Sequence, residues 1–299
     1  MSEELEVFVK DDTYYMSDIT KTAFNEFIKT LSKNTAGHYR LNVGQFLSFV
    51  EKDFLECTEE DARDYIDSLY AKKEKGYLKI GTLKAKLSSL AGFENFLIEH
   101  KIKEESIFEN IKRPFIEKQA RVYKIPTYEE LDKILESTKT GPEYLYPIAC
   151  IIARMGIKPG AVIKLQSKDV VADMNNPYIV VQGNNKNPAR TVPIPKDLLP
   201  IFIKLLDEAY CNSLFYNKHG KPLTQRVLEY SFQKAVKEVS LEYTLNNLRD
   251  RALIDMLQSG AKEDEVSEYT GTGLTRLHAY KGIGVMPCPA DLVNIKIKS

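Results

Sequence analysis

The chain is dominated by stretches in which apolar residues recur every three or four positions, the period of an amphipathic helix. In a leading segment, 1–33, Ile19, Ala23, Phe24, Phe27, Ile28 and Leu31 fall on one face. The next stretch, NTAGHYRLNVGQFLSFVEK, carries Tyr39, Val43, Phe46, Leu47 and Val50 as a stripe, with Asn34 or Thr35 placed to cap it. TEEDARDYIDSLYAKKEKG repeats the design, with Thr58 as cap, acids in the first turn, lysines in the last and Gly76 as stop. GTLKAKLSSLAGFENFLIEHK points Leu83, Leu87, Leu90, Phe93 and Leu97 inward. These patterns predict an all-helical domain over 34–113.

The proline-bounded PFIEKQARVYKIP, 114–126, has no strong period and suits an extended linker. TYEELDKILEST then opens a second domain, 127–285, with another capped helix. PYIVVQGNNKNPARTVPIP changes period: a β-branched run, an asparagine-rich turn and a second strand ending at prolines. Helices are expected over 197–210, 224–239, 246–259 and 262–269, followed by a tail, 286–299. The predicted fold class is mainly α with a small antiparallel sheet, in two domains.

Composition narrows the setting. A hydrophobic fraction of 43% and a charged fraction of 28% suit a globular protein with sizeable cores. MSEELEVFVKDD is acidic and lacks an apolar core, so it is not a secretory signal, and the longest apolar stretch, Ile148–Ile157, is interrupted by Arg154. Cys57, Cys150, Cys211 and Cys288 lie far apart and share no ligand spacing with the histidines. No metal or cofactor is expected, and a reduced cytoplasmic setting is. The net charge of zero rules out a uniformly cationic surface but not local patches. Residues 1–113 hold 17 basic and 21 acidic side chains, and 114–299 hold 25 and 21, so composition alone does not mark a nucleic-acid binder.

Five segments in order resemble the tyrosine recombinase, or phage integrase, family over about 34–285. The helices of the first domain resemble its core-binding domain. ARMGIKPGAVIKLQSKDV resembles its first arginine box, and VVQGNNKNPARTVPIP the hairpin with a catalytic lysine. NNLRDRALIDMLQSG resembles the His-x-x-Arg box, and VSEYTGTGLTRLHAY the closing segment with the nucleophilic tyrosine. The resemblance implies attack of a tyrosine on a DNA phosphodiester, two arginines clamping the phosphate, and lysine and histidines handling protons.

Carried onto this sequence, the first arginine position holds Lys158 and the acid three residues on is Ala161. The hairpin lysine aligns with Asn184, or with Lys186 if the turn slips. Asn246 and Thr272 stand where histidines are usual; Arg249 is kept; Tyr280 occupies the nucleophile position, eight residues after Thr272 where nine is usual. Losing one preorganised donor costs about a hundred- to a thousandfold in rate. The expectation is therefore a protein that is not an enzyme: a sequence-specific binder of double-stranded DNA, of the kind that represses prophage genes to maintain lysogeny, similar to the integrase-fold master repressor of SPβ-type prophages. The alternative is a divergent recombinase using Tyr280.

The same resemblance implies DNA contacts from Lys79, Thr82, Lys84 and Lys86 in the first domain. In the second it implies contacts from Lys158, Lys186, Arg190, Thr224, Gln225, Arg226, Asn246 and Arg249. Nucleoid association follows, with self-association or a regulatory protein open as further partners and no membrane. Plainer readings stand beside these: a solvated lysine-rich helix end, Arg249 in an ion pair with Asp250 or a neighbouring acid, and Tyr280 as a packing residue; His278 is a further candidate, as a substitute for a lost imidazole.

Overall fold

In the computed structural model of the protein, residues 15–109, 123–183, 188–209 and 212–280 are described. The chain divides into two units, Met1–Lys118 and Gln119–Ser299.

The first unit is helical. It contains α1 (Asp18–Lys29), α2 (Lys33–Val50), α3 (Glu59–Glu74) and α4 (Ile80–Glu99). Each predicted stripe lies inward: Val43, Phe46 and Leu47 of α2 and Leu83, Leu87, Leu90, Phe93 and Leu97 of α4 are buried. Their aromatic rings pack edge to face, Phe24 on Phe93 and Phe54 on Phe93 both at 4.9 Å. Helix α1 contributes Ala23, Phe24, Phe27 and Ile28 to this same core. Two local expectations are corrected. Ile19 is exposed, because it follows the N-cap Ser17 by two residues and falls off the apolar face. The cap of α2 is Ser32, whose side chain accepts from the Thr35 N–H; Asn34 and Thr35 already lie inside the helix. Thr58 caps α3 as expected, in a reciprocal capping box with Asp61.

The second unit contains α5 (Tyr128–Lys139), α6 (Leu145–Met155), α7 (Pro159–Val162), β1 (Val170–Val171), β2 (Tyr178–Val181), β3 (Arg190–Pro193) and α8 (Leu199–Asp207). It continues with α9 (Gln225–Glu238), α10 (Leu245–Gln258), α11 (Glu263–Thr270) and α12 (Leu274–His278). The strands pair antiparallel in the order β1-β2-β3, with Ile179 opposite Val192 and Val181 opposite Arg190. The short β1 was not anticipated; two residues are too few to show a period. Helix α6 is apolar almost all round, as a helix must be when it is enclosed on every side: Ile148, Ala149, Cys150, Ile151 and Ile152 are fully buried. It packs against α5 and α10. Among the described residues no helix is long and apolar enough to cross a membrane.

Candidate anion site in the second unit

Three chain ends converge on one side chain, Arg249. Helix α6 stops at Gly156, which takes the left-handed conformation (φ 63°) and leaves its carbonyl free for a partner outside the helix. Helix α10 starts from Thr244, fixed by a capping box with Asn247, and this start turns Asn246 to solvent and Arg249 inward. Helix α11 stops at Gly271, also left-handed, and delivers Thr272. Arg249, only 1% exposed, donates from Nε to the Gly156 carbonyl at 2.8 Å and from Nη2 to Thr272 Oγ1. Thr272 Oγ1 lies 2.8 Å from Thr270 Oγ1, which reaches the Val266 carbonyl at 2.6 Å. A neutral hydroxyl thus fills the place where the family pattern has an imidazole, and it serves as an acceptor for the guanidinium.

Other cations face the same place. Lys158, the N-cap of α7, is exposed, and burial of its surroundings together with Arg249, Arg190 and Arg276 lowers its proton affinity. Arg190 reaches from β3 to donate from Nε to the Tyr269 carbonyl at 3.2 Å, and its guanidinium rests on Gly271. Burial, then Arg276, push the Arg249 guanidinium down to about 10. Among the described residues no ion pair joins Lys158, Arg190 or Arg249 to an acid. A partly desolvated set of cations that form no ion pairs with acids attracts anions, and guanidinium forks match phosphate oxygens.

Asp250 does not pair with Arg249, so that plainer reading is corrected: successive residues of a helix point about a quarter-turn apart, and Asp250 faces α12 instead. Its Oδ1 accepts from Arg276 Nη2 at 2.5 Å and from the Tyr280 hydroxyl at 2.7 Å, while Arg276 Nε donates to the same hydroxyl at 2.8 Å. Tyr280 is 4% exposed, with its ring against Tyr123 at 4.9 Å between centroids. Burial is the main reason its phenol is pushed up to about 12; Arg276 opposes and Asp250 adds to this. In this arrangement the hydroxyl is neutral and bonded on both sides.

The remaining sequence candidates are placed as follows. Thr224 caps α9, and Gln225 and Arg226 are exposed at its start; Gln225 Nε2 donates to Glu229 at 2.8 Å while its Oε1 lies beside Gly160 in α7. Ala161 is half-buried. His278 is exposed next to Glu263, 3.7 Å away, and makes no hydrogen bond to Arg249 or Tyr280. In the first unit Lys79, Thr82 and Lys84 are exposed along the start of α4, whereas Lys86 donates to Gln45 and burial lowers its proton affinity. Asn184 and Lys186, and the tail 286–299, lie outside the described residues. Sequence reasoning missed Arg276. Its only local signal was a basic residue four positions before Tyr280, the spacing that puts two side chains on one helix face.

Comparison with known proteins bears on the family and the fold. The profile described as the Phage integrase family matches residues 126–272, and that of the phage integrase N-terminal SAM-like domain matches 24–101. A Caldanaerobacter subterraneus subsp. tengcongensis protein that carries the name of a tyrosine recombinase is 28% identical over 269 residues, 86% of this chain and 90% of its own. The tyrosine recombinase XerD of Staphylococcus saprophyticus is 26% identical, covering 83% of this chain and 87% of that protein. In fold, the chain resembles a lambda integrase tetramer bound to a Holliday junction, with a TM-score of 0.66 and 13% identity over 92% of this chain and 81% of that one. These relatives overturn the expectation that the chain is not an enzyme: proteins aligned with more than four fifths of it bear the names of recombinases, which are enzymes.

Proposed function

The chain belongs to the phage integrase family of tyrosine recombinases, and on that premise we propose that it is a divergent recombinase that grips a phosphodiester of double-stranded DNA at Arg249, Lys158 and Arg190. The observation that carries this reading is Arg249 itself. A guanidinium buried to 1% exposure that forms no ion pair with an acid is costly to the fold unless an anion is its partner. Tyr280 is the candidate nucleophile. Its oxygen would form the new bond to phosphorus as the bond from phosphorus to the leaving strand's oxygen breaks; its proton would pass to Asp250 Oδ1, which already accepts from it at 2.7 Å, and the leaving oxygen would take a proton from water. With the phenol pushed up to about 12 and bonded to Asp250 and Arg276, the arrangement seen is a resting one.

Further DNA contacts follow the exposed side chains: Lys79, Thr82 and Lys84 on α4, and Thr224, Gln225, Arg226 and Asn246 on the second unit. Glutamine and arginine at a helix start suit adenine and guanine edges. Regulation of prophage genes by occupancy of DNA is a second reading. Asn246 and Thr272, which carry no titrating proton near neutrality, favour slow turnover, which leaves occupancy as the lasting effect of binding.

A nicked duplex that traps covalent complexes tests the proposal. A Tyr280-dependent adduct on denaturing gels is the expected outcome. Salt-dependent binding without any adduct would refute the cleavage step and leave occupancy alone; no binding to duplex would sink both readings.

A further inference from the structure

We propose that Arg276, which no motif of the chain marks, is a phosphate-binding cation of the Arg249 site and supplies the second guanidinium that Lys158 does not. The inference rests on the DNA-binding reading above. The geometry behind it is a matter of donors and charges. A guanidinium has five N–H groups in a rigid fork, whereas an ammonium is a point charge. Arg276 spends Nε on the Tyr280 hydroxyl and one Nη2 hydrogen on Asp250. Among the described residues, no protein acceptor is recorded for Nη1. The side chain is 35% exposed, so the unused donors are within reach of a ligand arriving from solvent.

Charge points the same way. Arg276 and Arg190 are both near enough to lower the proton affinity of Arg249 and of Lys158. Among the described residues, the acid that acts on this group is Asp250, bonded to Arg276 and Tyr280 through a single oxygen. Four cations and one carboxylate among the described residues leave the group with a net positive charge. The helix that carries Arg276 also leads directly to Tyr280, so a phosphate drawn to this guanidinium competes for the donors that hold the hydroxyl.

Salt dependence separates this role from a structural one. Each phosphate contact adds about 0.9 to the slope of log affinity against log salt for duplex DNA. Binding of a mixed-sequence duplex is measured over a salt series for the full chain, Arg276→Ala, Arg276→Lys and Arg249→Ala, with thermal melting as the check on folding. We expect Arg276→Ala to lower the slope by about 0.9, and Arg276→Lys to restore the slope while binding more weakly at every salt concentration. An unchanged slope in a folded Arg276→Ala, with a reduced one in Arg249→Ala, overturns this inference and leaves the DNA reading standing. Absence of binding by the unaltered chain overturns both. Where Arg276→Ala does not fold, Arg276→Gln, which keeps an N–H for Tyr280 without the charge, carries the same expectation and the same refutation.

Discussion

Gly271 is where a single added methyl group should tell most about the site. Its φ of 67° lies in the left-handed region, where an L side chain costs about 1–2 kcal/mol. A Cβ built there would stand 2.7 Å from Arg190 Nη1 and 2.8 Å from Cζ and Nη2, closer than any real contact. The obstacle is the far end of a flexible side chain, so Gly271→Ala moves the guanidinium and spares the backbone. Two separable losses follow. For a unit of this size, about 1–2 kcal/mol lowers the melting temperature by about 2–8 °C. Displacing Arg190 removes one phosphate contact, so the salt slope for duplex binding falls by about 0.9, roughly a three- to fourfold effect between about 50 and 200 mM salt. The assay is a double-mutant cycle with Arg190→Ala, read by both melting and salt-dependent binding. In the Arg190→Ala background, Gly271→Ala should still cost stability and cost no further binding. If the two binding losses instead multiply, Gly271 does not act through Arg190 and the account of this contact is wrong.

Two other outcomes are expected. Arg249→Lys cannot reach the Gly156 carbonyl and Thr272 together, and a hydrogen bond from a charged group is worth about 1.5–3 kcal/mol, so duplex affinity should drop about tenfold or more. A binding titration at fixed salt checks this. Tyr280 has a folded-state pKa raised to about 12, so its contribution to stability is complete below the ordinary phenol value of about 10 and is lost as pH climbs through 12. Urea unfolding of the unaltered chain and of Tyr280→Phe across that range should show the difference between them constant below pH ~10 and shrinking above it. A difference that does not change with pH would mean that the phenol is not held neutral by its surroundings.

Helices α2, α3 and α4 were legible because each is an amphipathic stripe with polar ends, and such stripes report burial directly. The caps were legible to within a turn: Thr58 acts as expected and Thr127, the first residue of TYEELDKILEST, caps α5, while Ser32, one residue after Leu31, was hidden by two other good capping residues just inside the helix. Arg249 could be read because it sits in a local box. The donors and acceptors that define its surroundings could not, since Gly156 and Thr272 lie 93 and 23 residues away in the chain. Arg276 and Asp250, 26 residues apart, are likewise joined only by folding. Reading the substitutions at Lys158, Asn246 and Thr272 one by one suggested a site stripped of its chemistry. In the fold, Thr272 accepts from Arg249, and Arg276, a cation outside those positions, lies close enough to act on it.

The oxygen that receives Arg249 Nε belongs to the main chain of Gly156. Every amino acid supplies that carbonyl, so no change of side chain can delete it; only a change in the path of the chain can. A mooring of this kind tolerates turnover in the residues around it. Lineages are then free to exchange the neighbouring acids, bases and hydroxyls, and with them the speed of any reaction, while the central charge stays where the backbone puts it.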